Sequence, residues 1–589
     1  MTSKNDWQAI RRLVPFIKKF KGRVLLALSL LTLAKLANVA VPLTLKHAID
    51  ALDPQHQNII YLPVMMLVAY GLLRLASSAF SELRDALFAK VIFRSVRRIA
   101  SQILAHLHEL SLQFHLQRQT GGISRDIERG SRGISFLMNF MIFNILPTLV
   151  EIGLVTAILL INYDSIFAII TTSTILIYIF YTLIITEWRM RYRRRMNEMD
   201  SQANNQAIDS LINYETVKYF NNEELEVSQY DKKLASWEKS AIHNQTSLSV
   251  LNIGQGIIIS AGLTALMLLA GQGVVDGQLS LGDLVLINAY LLQLYMPLGF
   301  LGFVYREIRH SLADMERMFH LLEQQKEISD TKDAKDIDID LGEVKFINVG
   351  FSYHPDRVIL KNISFTAKAG QKLAIVGPSG SGKSTIIRLL YRFYDPQMGH
   401  IEIDNQDIKH VTQNSLRKHI GIVPQDTVLF NDTIYHNIAY GKPSANTEAV
   451  TAAAKQANLH DFIQQLPDGY NTIVGERGLK LSGGEKQRLA IARTLLKNPK
   501  VLCFDEATSA LDSHSEQRIG KEIINISLNK TTLVIAHRLS TIIDANQILV
   551  MDKGEIIEQG THQQLLAQNG VYASMWQLQQ SHTETNNVV

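Results

Sequence analysis

Six stretches of the 589-residue chain, 24–45, 59–80, 134–161, 166–186, 248–270 and 281–304, are apolar for long enough to cross a bilayer. A hydrocarbon core of about 30 Å takes about 20 helical residues. Lipid offers no hydrogen bonds, so a segment inside it must satisfy its own backbone groups. Each stretch is therefore predicted to be a transmembrane helix, and six crossings leave both ends of the domain on one side.

Charge sets the orientation. The connection between the second and third stretches carries Arg84, Lys90, Arg94, Arg97, Arg98, Arg118, Arg125, Arg129 and Arg132. That between the fourth and fifth carries Arg191, Arg193, Arg194, Arg195, Lys218, Lys232, Lys233 and Lys239, whereas the turns around Asp53, Asp164 and Asp276 have no Lys or Arg. The positive-inside rule puts the basic connections and both termini in the cytoplasm. Their length and periodicity predict helices that continue well beyond the membrane. Residues 1–22, with Trp7, Ile10, Leu13, Val14 and Ile17 on one helical face, are expected to form an interfacial helix ahead of a transmembrane domain over 23–320. Lys35, Arg74 and Glu151 fall inside apolar stretches. There an unpaired charge costs at least about 2.5 kcal/mol, so pairing between helices is expected.

The overall hydrophobic fraction of 47% hides a change of character after residue 320. An acidic stretch with Asp330, Asp333, Asp336, Asp338 and Asp340 reads as a linker over 321–340. From 341 to 580, short Val/Ile-rich strands alternate with helical segments, the pattern of an α/β domain with a largely parallel sheet, and 581–589 are polar and expected to be disordered. A net charge of +4, with its basic residues beside apolar segments, makes nucleic acid a poor partner. Cys503 is the only cysteine, which excludes an intramolecular disulfide and a cysteine metal cage.

The strand 372–376 runs into Gly377, Pro378, Ser379, Gly380, Ser381, Gly382, Lys383, Ser384 and Thr385, a complete phosphate-binding loop between a strand and an apolar helix. The glycines let backbone N–H groups curl around phosphate oxygens. Lys383 meets the outer phosphates, and Ser384 can ligate Mg²⁺. A second apolar strand, 501–504, ends in Asp505 and Glu506, at the carboxyl end where open α/β sheets bind ligands. Asp505 is expected to anchor Mg²⁺ and Glu506 to polarise the attacking water.

Residues 481–488, LSGGEKQR, resemble the signature of ATP-binding-cassette (ABC) proteins, and the rest of that family's set is present. Tyr353 resembles the aromatic that stacks on adenine, Gln425 the Q-loop glutamine that joins the Mg²⁺ site, residues 509–512 the D-loop, and His537 the switch histidine. Residues 474–478 resemble a segment that touches the membrane domain in exporters. The resemblance implies a multi-domain membrane protein: an all-α six-helix transmembrane domain of the type I ABC exporter kind, followed by an α/β P-loop nucleotide-binding domain. It implies ATP and Mg²⁺ as cofactors, and catalytic roles for Glu506, His537, Gln425 and Lys383. In the family the signature of one subunit faces the phosphate loop of another. A single cassette then implies a homodimer whose sites join Lys383 of one chain to Ser482, Gly483 and Gly484 of the second.

Residues 213–224, NYETVKYFNNEE, are similar to a stretch of the mitochondrial-type exporters and their bacterial relatives, linked to iron-sulfur assembly and heavy-metal tolerance. Residues 77–91, 147–154 and 300–309 match that subgroup too, and Gly299 departs from it where a polar residue is expected. The subgroup handles glutathione and its derivatives, and its glutathione contacts fall on Tyr178, Arg189, Arg193, Asn252, Gln255 and Arg306. The residues themselves suit an anionic cargo: Arg189 and Arg193 are four apart on one helical face, and Asn252 and Gln255 three apart. A lipid or multidrug exporter is the competing expectation; six spans exclude a soluble cassette ATPase. The membrane is expected to be a bacterial inner membrane, because no Arg/Ser-rich, acid-poor leader precedes the first span.

Overall fold

A computed structural model describes residues 3–52, 62–117, 120–299, 301–354, 356–475, 478, 480–506, 527, 529–536 and 538–586. The chain divides into two compact units, one of residues 1–109 and 115–325, the other of residues 110–114 and 326–589.

The first unit opens with a helix, Ser3–Lys18, whose Arg12 pairs with Glu323 at the far end of the unit. Six long helices follow, Lys21–Asp50, Val64–His108, Gly122–Asn162, Ser165–Ile212, Glu223–Val275 and Leu281–Leu322, and they carry the six apolar stretches as spans one to six. Span four has 48 residues. At 1.5 Å per residue it is roughly 72 Å long, more than twice a hydrocarbon core, as the basic periodic connections require. Two spans are not regular α-helix throughout. Met141–Ile145 in span three is π-helical, and the N–H of Leu146 donates to Met141 O, five residues back. Pro147 follows at once, and with no N–H it cannot make the ordinary bond to the carbonyl of Phe143. Span six is α-helical over Leu281–Leu298, with Gly299 as its C-cap, and over Leu301–Leu322, Phe300 lying outside the described residues.

Close approach comes from small residues. A Cβ on Gly133 of span three would sit 2.9 Å from the backbone oxygen of Ser311 in span six, and one on Gly262 of span five would sit 2.6 Å from Thr174 of span four. Val39, Val155, Phe167, Tyr178, Leu266 and Tyr290 anchor a core shared by spans one, three, four, five and six. Within it the expected charge pairing is found for two of the three residues. Lys35 Nζ lies 2.6 Å from Glu151 Oε2, joining spans one and three. Arg74 instead donates to Tyr70 Oη, 3.1 Å away on its own helix, because Tyr70 is one turn back and the long guanidinium reaches it.

The second unit holds two sheets. Strands β1 (Val344–His354), β2 (Arg357–Ala367), β4 (Met398–Ile403) and β5 (Gln406–Asp407) form an antiparallel sheet in the order β2-β1-β4-β5. Strands β3 (Lys372–Val376), β6 (Ile420–Val423), β7 (Val501–Asp505), β8 (Thr531–Ile535), β9 (Gln547–Asp552) and β10 (Glu555–Gly560) form the other, ordered β10-β9-β3-β8-β7-β6 and parallel except for β10. Alternate residues of the central strands enter two cores. Ala374, Val376, Leu502, Phe504 and Val534 face one, and Leu373, Ile375, Val501, Cys503 and Leu533 face the other. A strand buried on both faces reads as a continuous apolar run, which is why β3, β7 and β8 are visible in the sequence.

Two expectations are corrected here. The acidic stretch is not a free linker beyond Gln325. Ile337 and Ile339 are buried in the second unit, and Asp404 accepts the N–H groups of Asp340, Leu341, Gly342 and Glu343 at 2.7–3.0 Å. Asp330 accepts from Gln413 and Asp336 from Thr412, so two of the exposed carboxylates also tie the stretch to the second unit. The polar end is not wholly irregular either: the helix Val571–Asn586 takes in its residues 581–586, which contain no Gly or Pro to stop it, and 587–589 lie outside the described residues.

Candidate nucleotide site and membrane cavity residues

The loop after β3 takes its shape from glycines that no other residue replaces without strain. Gly377 and Gly382 have φ of +148° and +103°, and a Cβ on Gly377 would lie 2.1 Å from the carbonyl oxygen of Met551 in β9. The loop thus passes tightly over the sheet edge and delivers Gly382 as the N-cap of the helix Lys383–Leu390. Pro378, Ser379 and Gly380 form its exposed rim, while Ser381, Lys383 and Thr385 are buried.

Lys383 folds back across the loop, its Nζ donating to Gly377 O at 2.8 Å and Pro378 O at 3.0 Å. Burial pushes the ammonium below the usual lysine range, and the carboxylates of Glu506 and Asp505 pull the other way. Buried Ser381 Oγ has no hydrogen-bond partner among the described residues, an orphaned donor within the loop. An anion with several acceptor oxygens satisfies both, so the loop fits a nucleotide's phosphates. Ser384 Oγ donates to Asp505 Oδ1 at 3.0 Å. Burial raises the Asp505 carboxyl above its ordinary range, against the Ser384 hydrogen bond and the nearby cations. This hydroxyl–carboxylate pair beside the loop is the oxygen donor set that suits a hard divalent cation such as Mg²⁺.

One residue further on, Glu506 has φ of +50°, the left-handed region, and its N–H is held by Ile535 O at 3.0 Å. Such a conformation costs of order 1–3 kcal/mol in a residue other than glycine and turns the side chain out of the strand's line. Its Oε2 accepts from Gln425 Nε2 at 2.6 Å. Gln425 follows β6, the neighbour of β7, so adjacent strand ends bring the two together. Tyr353, at the end of β1, packs edge-on against Phe351 and Tyr394, and its Oη lies 3.2 Å from both Thr385 Oγ1 and Arg388 Nη1. An aromatic face thus stands beside the loop. Arg388 was not singled out in the sequence; its place four residues after Ser384 on the loop's own helix is the signal that finds it.

Ser482 caps the helix Gly483–Lys497 in a reciprocal box with Glu485. Ser482 and Gly483 are exposed and Gly484 half-buried, so the start of this helix is open at the surface. His537 and residues 509–512 lie outside the described residues, as do Glu476 and Arg477 of the segment 474–478.

In the first unit, three of the six expected cargo residues, Tyr178, Arg189 and Gln255, hydrogen-bond to a neighbouring span. Tyr178 is buried, its Oη donating to Leu298 O at 3.0 Å in span six. Arg189 Nε donates to Ser247 Oγ at 3.2 Å, and Gln255 Nε2 to Thr182 Oγ1 at 2.8 Å. Asn252 is exposed, so the two amides expected to share a face are divided between an interhelix contact and an open surface. Arg193 is half-buried one turn after Arg189. Arg306 lies on the last segment of span six, and its side chain is outside the described residues.

Residues 360–509 match the ABC transporter family and residues 24–298 the ABC transporter transmembrane region. The "Iron-sulfur clusters transporter atm1, mitochondrial" of Aspergillus fumigatus is 49% identical over 98% of this chain and 81% of its own length. Human "Iron-sulfur clusters transporter ABCB7, mitochondrial" is 47% identical over 96% of this chain and 77% of its own. A solved structure described as a bacterial Atm1-family ABC exporter with ATP bound superposes with a TM-score of 0.82 at 47% identity, covering 95% of this chain and 98% of that one. The chain belongs to the ABC exporters as a half-transporter of the Atm1/ABCB7 subgroup, a multi-pass membrane protein that binds ATP and couples its hydrolysis to transport.

Proposed function

We propose that two copies of this chain form the working exporter and that its cargo is a glutathione derivative: oxidised glutathione, or a glutathione–metal or persulfide conjugate. One phosphate loop and one signature per chain support the dimer, because the exposed cap at Ser482 and Gly483 is then free to close over a partner's nucleotide. In each site Lys383 and Ser381 take the phosphates and Tyr353 the adenine. Ser384, Asp505 and Gln425 would hold Mg²⁺, which supplies charge neutralisation on the phosphate oxygens. Glu506, aimed by its left-handed turn and held by Gln425, orients the attacking water; His537 completes the set.

The cargo reading rests on one observation, the series of polar contacts made by Tyr178, Gln255 and Arg189 along spans four and five. Glutathione derivatives carry carboxylates, an ammonium and peptide groups, which fixed guanidinium forks and amides recognise better than an oily wall does. A bacterial inner membrane is the proposed location, supported by the likeness to a bacterial exporter; a mitochondrial membrane, as in the curated relatives' names, is the alternative. The test is ATP hydrolysis in lipid vesicles with glutathione disulfide, lipids and apolar drugs added in turn. Glutathione disulfide should stimulate, and Arg189→Ala with Arg193→Ala should remove the stimulation while leaving basal hydrolysis intact. Loss of one charge-assisted hydrogen bond is worth about 1.5–3 kcal/mol, so half-stimulation should need roughly tenfold more ligand or worse. Stimulation by lipid or drug alone would overturn the cargo assignment.

A further inference from the structure

Glu151 is 2% exposed and accepts three hydrogen bonds from two other helices. Lys35 Nζ reaches its Oε2 at 2.6 Å and Asn38 Nδ2 its Oε1 at 2.8 Å, both from span one. Gln293 Nε2 donates to Oε1 from span six. Counting at 1.5 Å per residue, Lys35 lies about 22 Å from the Asp50 end of its span, Glu151 about 16 Å from Asn162 and Gln293 about 18 Å from Leu281. The three estimates agree on one depth near the bilayer midplane. Arg189 lies about 36 Å from Ser165, so it sits nearer the basic, cytoplasmic side, and cargo held there must pass the level of Glu151 to leave.

The same helices are tied again at the outer end. Lys46 Nζ lies 2.5 Å from Asp283 Oδ1, Tyr163 donates to the same oxygen, and Asp50 Oδ1 accepts the N–H of Gly282 at 3.1 Å. That outer tie lies within about 6 Å of the ends of spans one and six, where a parted ion pair can reach water. The midplane tie does not. While the path between the helices is dry, a parted Lys35–Glu151 pair is two bare ions in hydrocarbon. Once the path opens, water enters and solvates both. Closed with the pair made, or open with the pair hydrated, are both acceptable states, and everything between them is costly. This is the condition for a two-state element rather than a continuous hinge.

We propose that Glu151, with Lys35, Asn38 and Gln293, is a clasp that keeps spans one, three and six closed on the outer side of the cavity, and that its ion pair parts when cargo is released. The clasp is independent of which cargo is carried. The chain is suited to a direct test, because its one native thiol, Cys503, is buried, and burial pushes it up to about 12, so it stays unreactive at neutral pH. Val39 is 4% exposed, one turn beyond Lys35, and its carbonyl accepts from Tyr290 of span six. A Val39→Cys reporter in the full chain, nucleotide-free in lipid nanodiscs, is reacted with a hydrophilic maleimide, with basal ATP hydrolysis as the check on folding. Glu151→Gln and Lys35→Met should each raise the labelling rate about tenfold or more, and the exchange Lys35→Glu with Glu151→Lys should bring it back within about threefold. Parental labelling in both single variants overturns the clasp. So does an exchange that labels as fast as they do, since an ion pair survives reversal of its charges and a merely packed cluster does not. If neither single variant folds, the exchange decides: parental labelling and hydrolysis support the pair, and failure to fold overturns it.

Discussion

Replacing Glu506 by glutamine removes one charge and leaves the shape of the site. The hydrogen bond with Gln425 can persist, because a glutamine at 506 offers an amide oxygen where Oε2 stood at 2.6 Å. The left-handed backbone at φ +50° is set by the Ile535 carbonyl and not by the side chain. What is lost is the carboxylate proposed to orient the attacking water. Positioned acid–base groups contribute about 10²–10⁴ in rate, so the barrier should rise by roughly 3–5 kcal/mol. Lys383, Ser381 and Ser384 are untouched, and ATP affinity should stay within about threefold. Lys383→Ala is the contrasting case. Its Nζ already spans the loop between Gly377 and Pro378 oxygens, and losing its charge-assisted bonds, about 1.5–3 kcal/mol each, should weaken ATP binding by roughly ten- to a hundredfold. Equilibrium binding of a fluorescent ATP analogue and phosphate release, measured on the same preparations, separate the two effects. Glu506→Gln hydrolysing within about tenfold of the parent would remove Glu506 from its role, and unaltered ATP affinity in Lys383→Ala would do the same for the loop lysine.

Mixing Lys383→Ala chains with Ser482→Arg chains should give heterodimers with one intact composite site and recover hydrolysis absent from either variant alone; two active homodimers would refute the shared site. Asp505 provides a pH test. Its carboxyl is raised by burial, so the folded state favours its protonated form. The stability it contributes is present below the unfolded value near 3.9 and is lost as pH rises through the raised folded value. At pH 7, without nucleotide, Asp505→Asn should therefore unfold at a higher temperature than the parent, and the gap should shrink toward pH 4. A lower unfolding temperature at pH 7 contradicts the sign.

The parts of the molecule legible in sequence are those fixed by local physics. Span length, basic connections and the strand–loop–helix around Lys383 each follow from a contiguous stretch of chain. The left-handed turn at Glu506 does not, because no glycine marks it; the conformation is imposed by Ile535, a neighbour from another strand. Partners of Glu151 were expected without being named, and only the packing of three helices brings Asn38 and Gln293 to it. The acidic stretch misleads because five aspartates hide Ile337 and Ile339, whose two-residue spacing is the mark of a segment lying on a core. Asn252 and Gln255 show the limit of helical-face arguments. Residues three apart differ by about 60° around the axis, and here only Gln255 points at the neighbouring helix.

Cys503 has a chemical consequence for the proposed cargo. Disulfides and persulfides exchange only with a thiolate that can reach the sulfur in line, and the sole thiol of this chain is sealed inside a strand with its ionisation suppressed. The walls of the path are accordingly redox-silent. Glutathione disulfide or a glutathione persulfide would traverse them without leaving a mixed disulfide behind, so such cargo would arrive on the far side in the oxidation state in which it entered.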